Sequence, residues 1–446
     1  MNMRGLILFT RQLHVISRSG TSIIKPASPT PENFKVYHLP LHDCMMPNIY
    51  IPAIFFYADI SKAADHKSTV SNLLKNSLSE TLTKYYPYAG RLRPSGSSVD
   101  CNDEGVHFVE ARIGCKLAHV LEKDPAKEDE QGLGHLFPPL AIWDKLSNEK
   151  CSSLVLVQLN HFICGGIAIA VGFSHRIGDA LTLLSFVAYW AGLSRHSFDH
   201  QKLLHVCPYI VSDHEQSHDN DSNTFNVSFP EKHWITKNVV FHNSNIARLK
   251  ADVEIRHKLQ GKDEPNYTRN ELVTALLYRC VVAAAATSNG GAYIKSVLCQ
   301  TVNIRPLLDP PLPQTSVGSF INYNNIATGT ENETELHNLV ERIREGKLQL
   351  RRNKGMDEII AARPFEEFEK MNRIYLVSSI CSFPLYEIDF GWGRPVKATI
   401  VDMPVVNSII LMDTPSGDGI EAIVGLEEKE MENFQAHRDL LSYISF

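Results

Sequence analysis

His175 and Asp179 are the residues of this chain whose types and spacing most directly suggest chemistry. They lie in the stretch Ser174-His-Arg-Ile-Gly-Asp179, and of the 19 histidines only His175 has an aspartate four positions later. An imidazole titrates near neutral pH, so it can take a proton from a hydroxyl and pass it to a leaving group. The same spacing also suits a core histidine followed by an aspartate that caps a helix. The pair alone does not decide between these interpretations.

The residues around His175 predict a hairpin followed by a helix. Two runs rich in aliphatic and β-branched residues, 154–160 and 167–173, flank a glycine-rich turn at 164–166. Residues 180–193 then have the composition and length of an ordinary helix. His175 is therefore predicted to lie between the end of a strand and the start of a helix.

A second motif lies far along the chain, at Asp389-Phe-Gly391-Trp392-Gly393. With the His-x-x-x-Asp motif it resembles the BAHD family of plant acyl-CoA-dependent acyltransferases, whose HxxxD and DFGWG motifs it matches. Tyr86-Pro-Tyr-Ala-Gly-Arg-Leu92 and Asn303-Ile-Arg305 are further segments in the order of that family. The details most resemble the clade that acetylates hydroxyls of alkaloids and related specialised metabolites.

The resemblance implies a fold and a domain organisation. The expected fold class is α/β (α+β), with two similarly sized sheet-plus-helix domains of the coenzyme A-dependent acyltransferase type and an active site at their interface. The expected bounds are 1–200 for the first domain, 201–232 for a crossover linker and 233–446 for the second domain. A monomer is expected.

The resemblance also implies roles for individual residues. His175 is expected to be the general base and acid, and Asp179 to turn away from the acceptor and pair with Arg305, which holds the His175 loop. The second motif is expected to be structural, a tightly packed turn beside the coenzyme channel formed by Asp389, Gly391, Trp392 and Gly393. One departure from the family pattern is Ser319, which follows Gly318 where asparagine is expected. No residue is assigned to coenzyme A binding.

The implied activity is that of an acyltransferase for groups other than aminoacyl groups. The expected reaction moves acetyl from acetyl-CoA, a co-substrate, to a hydroxyl of an alkaloid or other plant specialised metabolite, with no permanently bound cofactor. Three alternatives stay open: an aromatic or longer acyl donor, an amine acceptor, and a catalytically silent binding protein that keeps the fold.

Other catalytic motifs are absent from the sequence or poorly supported. There is no GxSxG, no glycine-rich phosphate loop and no GxGxxG. His214-Glu-Gln-Ser-His218 matches the HExxH string of zinc proteases, which requires a helix. Its polar, acidic flanks predict a flexible loop within the linker instead, so no metal site is expected.

Composition limits the partners and the compartment. The 446 residues carry a net charge of −6 and no long basic run, which argues against nucleic acid or an acidic membrane surface. No apolar run reaches the roughly 18 residues of a membrane helix. Nine cysteines without CxxC pairs indicate reduced thiols and a cytoplasmic protein. The alternative is an organelle, because residues 1–28 contain Arg4, Arg11 and Arg18 and no acidic residue, as in transit peptides.

Periodicity and caps predict the remaining elements that bear on the site. Thr268 and Glu271 form a capping-box pattern before a long buried helix. Residues 41–48 are expected to form a loop. Further helices are predicted at 68–85, 243–259, 334–352, 365–372 and 428–443.

Overall fold

The computed structural model describes residues 15–58, 60, 67–122, 133–138, 153–195, 208–210, 234–259, 261, 266–352, 371–401 and 405–444. Within these ranges the chain forms two six-stranded sheets, a three-stranded sheet and a two-stranded sheet, with helices packed against the large sheets. The predicted mixed α/β fold with two sheet-plus-helix domains is confirmed.

The strands are, in chain order, β1 Val15–Ile24, β2 Val36–His38, β3 Tyr50–Tyr57, β4 Arg91–Leu92, β5 Ser98–Asp100, β6 Val106–Ile113, β7 Val155–Phe162, β8 Ile167–Ser174, β9 Tyr209–Ile210, β10 Trp234–His242, β11 Ser296–Asn303, β12 Ser316–Val317, β13 Ile321–Thr328, β14 Arg373–Ser379, β15 Lys397–Ile400, β16 Ser408–Asp413 and β17 Gly419–Glu427. The helices are α1 Leu41–Met45, α2 Lys67–Lys84, α3 Leu117–Leu121, α4 Ala180–Ser194, α5 Asn243–Leu259, α6 Arg269–Ser288, α7 Leu336–Leu350, α8 Glu428–Gln435 and α9 Arg438–Tyr443.

The first large sheet has the strand order β1-β6-β7-β8-β3-β15. Strands β3, β7 and β8 are buried along their whole length, because α2 and α4 cover one face and a second apolar cluster covers the other. Burial on both faces explains why these strands read as continuous apolar runs without alternation. The predicted hairpin is formed by β7 and β8, which pair antiparallel across the glycine-rich turn.

The second large sheet has the order β10-β17-β16-β14-β11-β13, and α5, α6 and α7 pack on it. The predicted capping box starts α6: the Thr268 side chain accepts from the Glu271 amide, and the Glu271 carboxylate accepts from the Thr268 amide. Among the described helices, α6 is the one long and apolar enough to cross a membrane by length and composition. Its apolar window is 72% buried in the protein, as expected of a core helix.

Strand β15 links the two halves of the chain. It pairs antiparallel with β3 at the edge of the first sheet, although it lies far along the second half. Lys397 of this strand also forms an ion pair with Glu421 of β17, in the second sheet. The range 233–446 predicted for the second domain therefore contains one strand of the first sheet.

The predicted linker contributes one described element. Strand β9, Tyr209–Ile210, pairs in parallel with β12 of the second half. The pairing brings the chain between the domains against residues 316–317, close to the candidate site. Residues 201–207 and 211–232 of the predicted linker, which include His214 and His218, lie outside the described residues.

Two predictions of local structure are wrong. Residues 428–443 form two helices instead of one, because the His437 imidazole accepts from the Asp439 amide and starts α9 after α8 has ended. Residues 41–45, predicted as loop, form the short helix α1. Most of the helix predicted at 365–372 lies outside the described residues.

Candidate active site

His175 lies on a short turn that is anchored from several directions. Strand β8 ends at Ser174, and His175 to Ile177 form one 3-10 turn. The His175 amide donates to the Ile49 carbonyl at 2.8 Å. The neighbouring Arg176 is buried and donates to the Met46 carbonyl at 2.8 Å and to the Gly96 carbonyl at 3.0 Å. These bonds fix the direction in which the chain presents the imidazole.

The surroundings of His175 favour the neutral imidazole. Burial lowers its pKa from the ordinary value of 6.5, while the negative charge of Asp179 opposes this shift. The ring Nδ1 is buried and has no hydrogen-bond partner among the described residues. The residue as a whole is half-buried. An imidazole that is neutral at pH 7 can accept a proton from a hydroxyl.

Asp179 is engaged with partners other than His175. It caps α4 by accepting from the Thr182 amide at 2.9 Å, and the Thr182 hydroxyl lies 3.1 Å from the same carboxylate oxygen. Arg305 donates to both of its carboxylate oxygens, at 2.7 and 3.1 Å. The Phe320 amide donates to the same carboxylate at 3.1 Å. Its lone pairs are thus occupied by structural contacts.

Arg305 is fully buried, at 0% side-chain exposure, against 7% for Asp179. Its guanidinium also donates to the carbonyls of Ser316 and Gly318, at 2.9 and 2.8 Å, and lies 4.9 Å from the centre of the Phe320 ring. A buried pair stays charged only when such bonds replace the water that each group has lost. The pair thereby ties the first domain to a segment of the second.

Residues 316–320, here called the 316–320 turn, collect most of these contacts. The Gly318 carbonyl accepts from the Thr182 hydroxyl at 2.8 Å, and the Ser319 hydroxyl donates to the His175 carbonyl at 3.3 Å. Gly318 has a φ of +135°, a backbone conformation that residues other than glycine rarely adopt. The turn therefore contacts both the backbone of His175 and the start of α4.

The second sequence motif forms a compact loop. One oxygen of Asp389 accepts from the amides of Gly391 and Gly393, both at 2.8 Å. Both glycines have positive φ, +111° and +107°, which explains why glycine suits these positions. Trp392 stacks on Phe390, with the ring centres 5.6 Å apart.

The loop is remote from His175. The rings of Phe390 and Trp392 pack edge-on against Tyr57 at one end of β3, and Tyr50, at the other end, pairs with Ser174. Seven strand steps separate the two ends by about 23 Å. The geometry therefore gives this motif a packing role, and its place beside a coenzyme channel stays a prediction.

Sequence reasoning missed one acidic residue near the site. Asp43 of α1 is buried at 1% exposure, and its Oδ1 accepts from the Ser319 amide at 2.6 Å. Nothing local marks Asp43, because its partner lies 276 positions away. In addition, residues 41–48 were expected to form a loop, so the short helix that carries Asp43 was not predicted.

Metal chemistry finds no support in the described ranges. No group of three or more His, Cys, Asp or Glu side chains there is arranged to hold a metal ion. The cysteines in the same ranges are free thiols.

Comparisons with known proteins identify the family of this chain. The model of the Transferase family matches residues 14–441, nearly the whole chain. The chain belongs to this family, the BAHD acyltransferases. It is therefore an acyltransferase for groups other than aminoacyl groups, as the resemblance of its motifs implied.

Similar proteins come from Alstonia, Strychnos and Catharanthus. Akuammiline synthase 1 of Alstonia scholaris is 37% identical, covering 97% of this chain and 98% of that protein. The 17,18-epoxy-17-hydroxycur-19-ene N-malonyltransferase of Strychnos nux-vomica is 35% identical over 97% and 91%, and deacetylvindoline O-acetyltransferase of Catharanthus roseus is 33% identical over 95% and 96%. The crystal structure of vinorine synthase superposes with a TM-score of 0.79 at 29% identity, covering 96% of this chain and 98% of that one.

Proposed function

We propose that this protein transfers an acetyl group from acetyl-CoA to a hydroxyl of an alkaloid or other plant specialised metabolite, with His175 as general base. The observation that carries the proposal is the environment of His175. Its imidazole lies on an anchored turn, and burial holds its pKa below the usual value. Asp179, the nearest acidic candidate in the motif, is occupied by Arg305.

The proposed reaction needs one residue for both proton transfers. The neutral imidazole takes the proton of the acceptor hydroxyl while the oxygen forms a bond to the thioester carbon. The carbon–sulfur bond then breaks, and the imidazolium gives its proton to the thiolate of coenzyme A. The products are an ester and free coenzyme A. A thioester is already activated and a thiolate is a fair leaving group, so no covalent enzyme intermediate is required.

Similarity supports the acceptor class and the acetyl donor. One relative is named an O-acetyltransferase of deacetylvindoline, and the family match supports an acyl-CoA donor. The reduced state expected for the cysteines supports a cytoplasmic location, which we include in the proposal. Residues 1–14, at the start of the segment that resembles a transit peptide, lie outside the described residues.

A second candidate function is supported by another relative. A protein of similar identity is named an N-malonyltransferase, so both the acyl group and the acceptor atom differ among proteins at this distance. His175 serves equally well as the base for an amine acceptor, because an amine, like a hydroxyl, gives up one proton when it forms the bond to the acyl carbon. The donor and the acceptor atom are therefore the features to test first.

The purified protein should use acetyl-CoA in preference to malonyl-, benzoyl- and coumaroyl-CoA at equal concentration. The measurement is a screen of these donors against a panel of alkaloid alcohols and amines, read by the mass increment of the product. A preference for malonyl-CoA or for an aromatic donor would contradict the acetyl assignment and leave the role of His175 standing. No product with any donor would favour a catalytically silent binding protein.

Acyl transfer should persist at pH values somewhat below 6.5, the ordinary pKa of histidine. The base must be neutral, and burial lowers the pKa of His175 below 6.5, so activity should fall only as the pH drops through that lowered value. The measurement is kcat/KM against pH with the acceptor limiting. An acidic limb with an apparent pKa at or above 6.5 would contradict the environment described for His175.

A further inference from the structure

Asp43 is a buried carboxyl group next to the candidate site that the proposed mechanism does not use. Its Oδ1 accepts from the Ser319 amide at 2.6 Å, and its Oδ2 has no hydrogen-bond partner among the described residues. Asp43 is 1% exposed, and burying a carboxyl group with one oxygen that lacks a hydrogen bond costs free energy. The hydrogen bond that the other oxygen makes to Ser319 therefore calls for a functional explanation.

The contact leads to the backbone of His175. Ser319, whose amide Asp43 binds, donates its hydroxyl to the His175 carbonyl at 3.3 Å. The amide of the next residue, Phe320, donates to Asp179 at 3.1 Å. Two successive amides of the 316–320 turn are therefore held by two carboxyl groups of the first domain, one on α1 and one at the start of α4.

Gly318 shows how closely the turn fits against Asp43. A Cβ atom added at Gly318 would lie 3.1 Å from Oδ2 of Asp43 and 3.0 Å from the Phe320 ring. Both distances are shorter than ordinary carbon contacts, so a side chain at position 318 would not fit unless Asp43 or Phe320 shifted. The fit and the hydrogen bond together fix the position of Ser319.

We propose that Asp43 is a positioning residue for acyl transfer: by holding the Ser319 amide, it fixes the hydroxyl that binds the His175 carbonyl and so the placement of the imidazole. The inference rests on the proposed function of His175. Asp43 contributes in the form of a hydrogen-bond acceptor, and its charge is not needed.

The electrostatic surroundings favour a protonated Asp43 below about pH 7. Burial, together with the nearby charge of Asp179, raises its pKa to about 7, while the hydrogen bonds from Ser319 and the charge of Arg305 oppose this shift. The titratable and charged groups that influence it or are influenced by it are Tyr37, Cys44, Tyr88, Arg176, Asp179 and Arg305. A protonated Oδ2 leaves Oδ1 free to accept from Ser319.

Three variants test the role of Asp43 in catalysis. Asp43→Asn keeps an acceptor oxygen and a neutral side chain, Asp43→Leu keeps similar bulk and removes the acceptor, and Ser319→Ala keeps the amide and removes the bond to His175. We expect Asp43→Leu to lower kcat about tenfold or more with little change in KM, since small displacements of catalytic groups are costly. Asp43→Asn should stay within about threefold of wild type, and Ser319→Ala should lose a few-fold in kcat.

The outcomes separate positioning from general stability. A folded Asp43→Leu protein with wild-type kcat, or an Asp43→Asn protein as impaired as Asp43→Leu, would overturn the proposal. If Asp43→Leu does not fold, a Ser319→Ala protein with wild-type kcat would overturn it. An inactive wild-type protein would instead count against the proposed function.

A stability measurement tests the same contact without relying on activity. Because the folded-state pKa of Asp43 is raised from 3.8 to about 7, its stabilising contribution is fully present below pH 3.8 and is lost as the pH rises to about 7. The melting temperature of Asp43→Asn minus that of wild type should therefore increase between about pH 5 and pH 7 and level off above. A difference that stays constant with pH would contradict a neutral, buried Asp43.

Discussion

Replacing His175 with alanine should lower acyl transfer by about 100- to 10,000-fold, the usual contribution of a general base. Its imidazole lies on an anchored turn, and burial lowers its pKa, so it is neutral when the acceptor binds. In the mechanism proposed here no second group takes the hydroxyl proton, because Asp179 is bound to Arg305 and Thr182. The measurement is kcat/KM for wild type and variant at saturating acyl-CoA.

Two further variants make this result specific. His175→Gln fills a similar volume without a basic nitrogen and should be as inactive as His175→Ala. His242→Ala removes a half-exposed histidine that pairs with Asp418 at the surface and should leave activity unchanged. Activity of His175→Ala within a few-fold of wild type, at an equal melting temperature, would remove the proposed mechanism.

Asp179→Asn and Arg305→Met should each destabilise the protein strongly, and the double variant should cost little more than either. Each single change leaves its partner buried and uncompensated, which costs about 3–5 kcal/mol. Methionine fills part of the space of the arginine, so the effect of a cavity stays small. Because both residues are part of one network, the expected interaction free energy is about 2 kcal/mol or more. The measurement is the free energy of unfolding from denaturant curves, together with kcat.

A surface pair provides the matched control. Arg93 and Asp100 form an ion pair in the first domain with side chains 40% and 49% exposed, and such pairs contribute about 0–1 kcal/mol. Asp100→Asn and Arg93→Met should therefore have small, additive effects. Additive effects for Asp179 and Arg305 would contradict the structural pair. A loss of kcat in Asp179→Asn at unchanged stability would indicate a direct catalytic role for Asp179 instead.

The parts of the fold that local sequence specifies were predictable. Aliphatic runs around a glycine-rich turn predicted the hairpin that ends at His175, and the spacing of Thr268 and Glu271 predicted the start of α6. The two glycines of the second motif take positive φ, for which glycine has a clear local advantage. Each of these signals lies within a few residues of its structural consequence.

The parts that depend on distant partners were not predictable. Asp43 and Ser319 lie 276 positions apart in the chain, and no local pattern marks either residue for the contact. Strand β15 has four residues and joins the sheet of the other half, so its length and composition do not reveal its partner. The break between α8 and α9 depends on one histidine acting as a cap within an otherwise helical pattern.

The role of His175 as the base is tested by incubating wild type and His175→Ala with acetyl-CoA and the preferred acceptor, and following free thiol and product mass in the same samples. Wild type should release coenzyme A in equal amounts with an acetylated product, and the variant, equally folded, should yield neither above background. Acetylated product from the variant at a rate close to that of wild type would contradict His175 as the base.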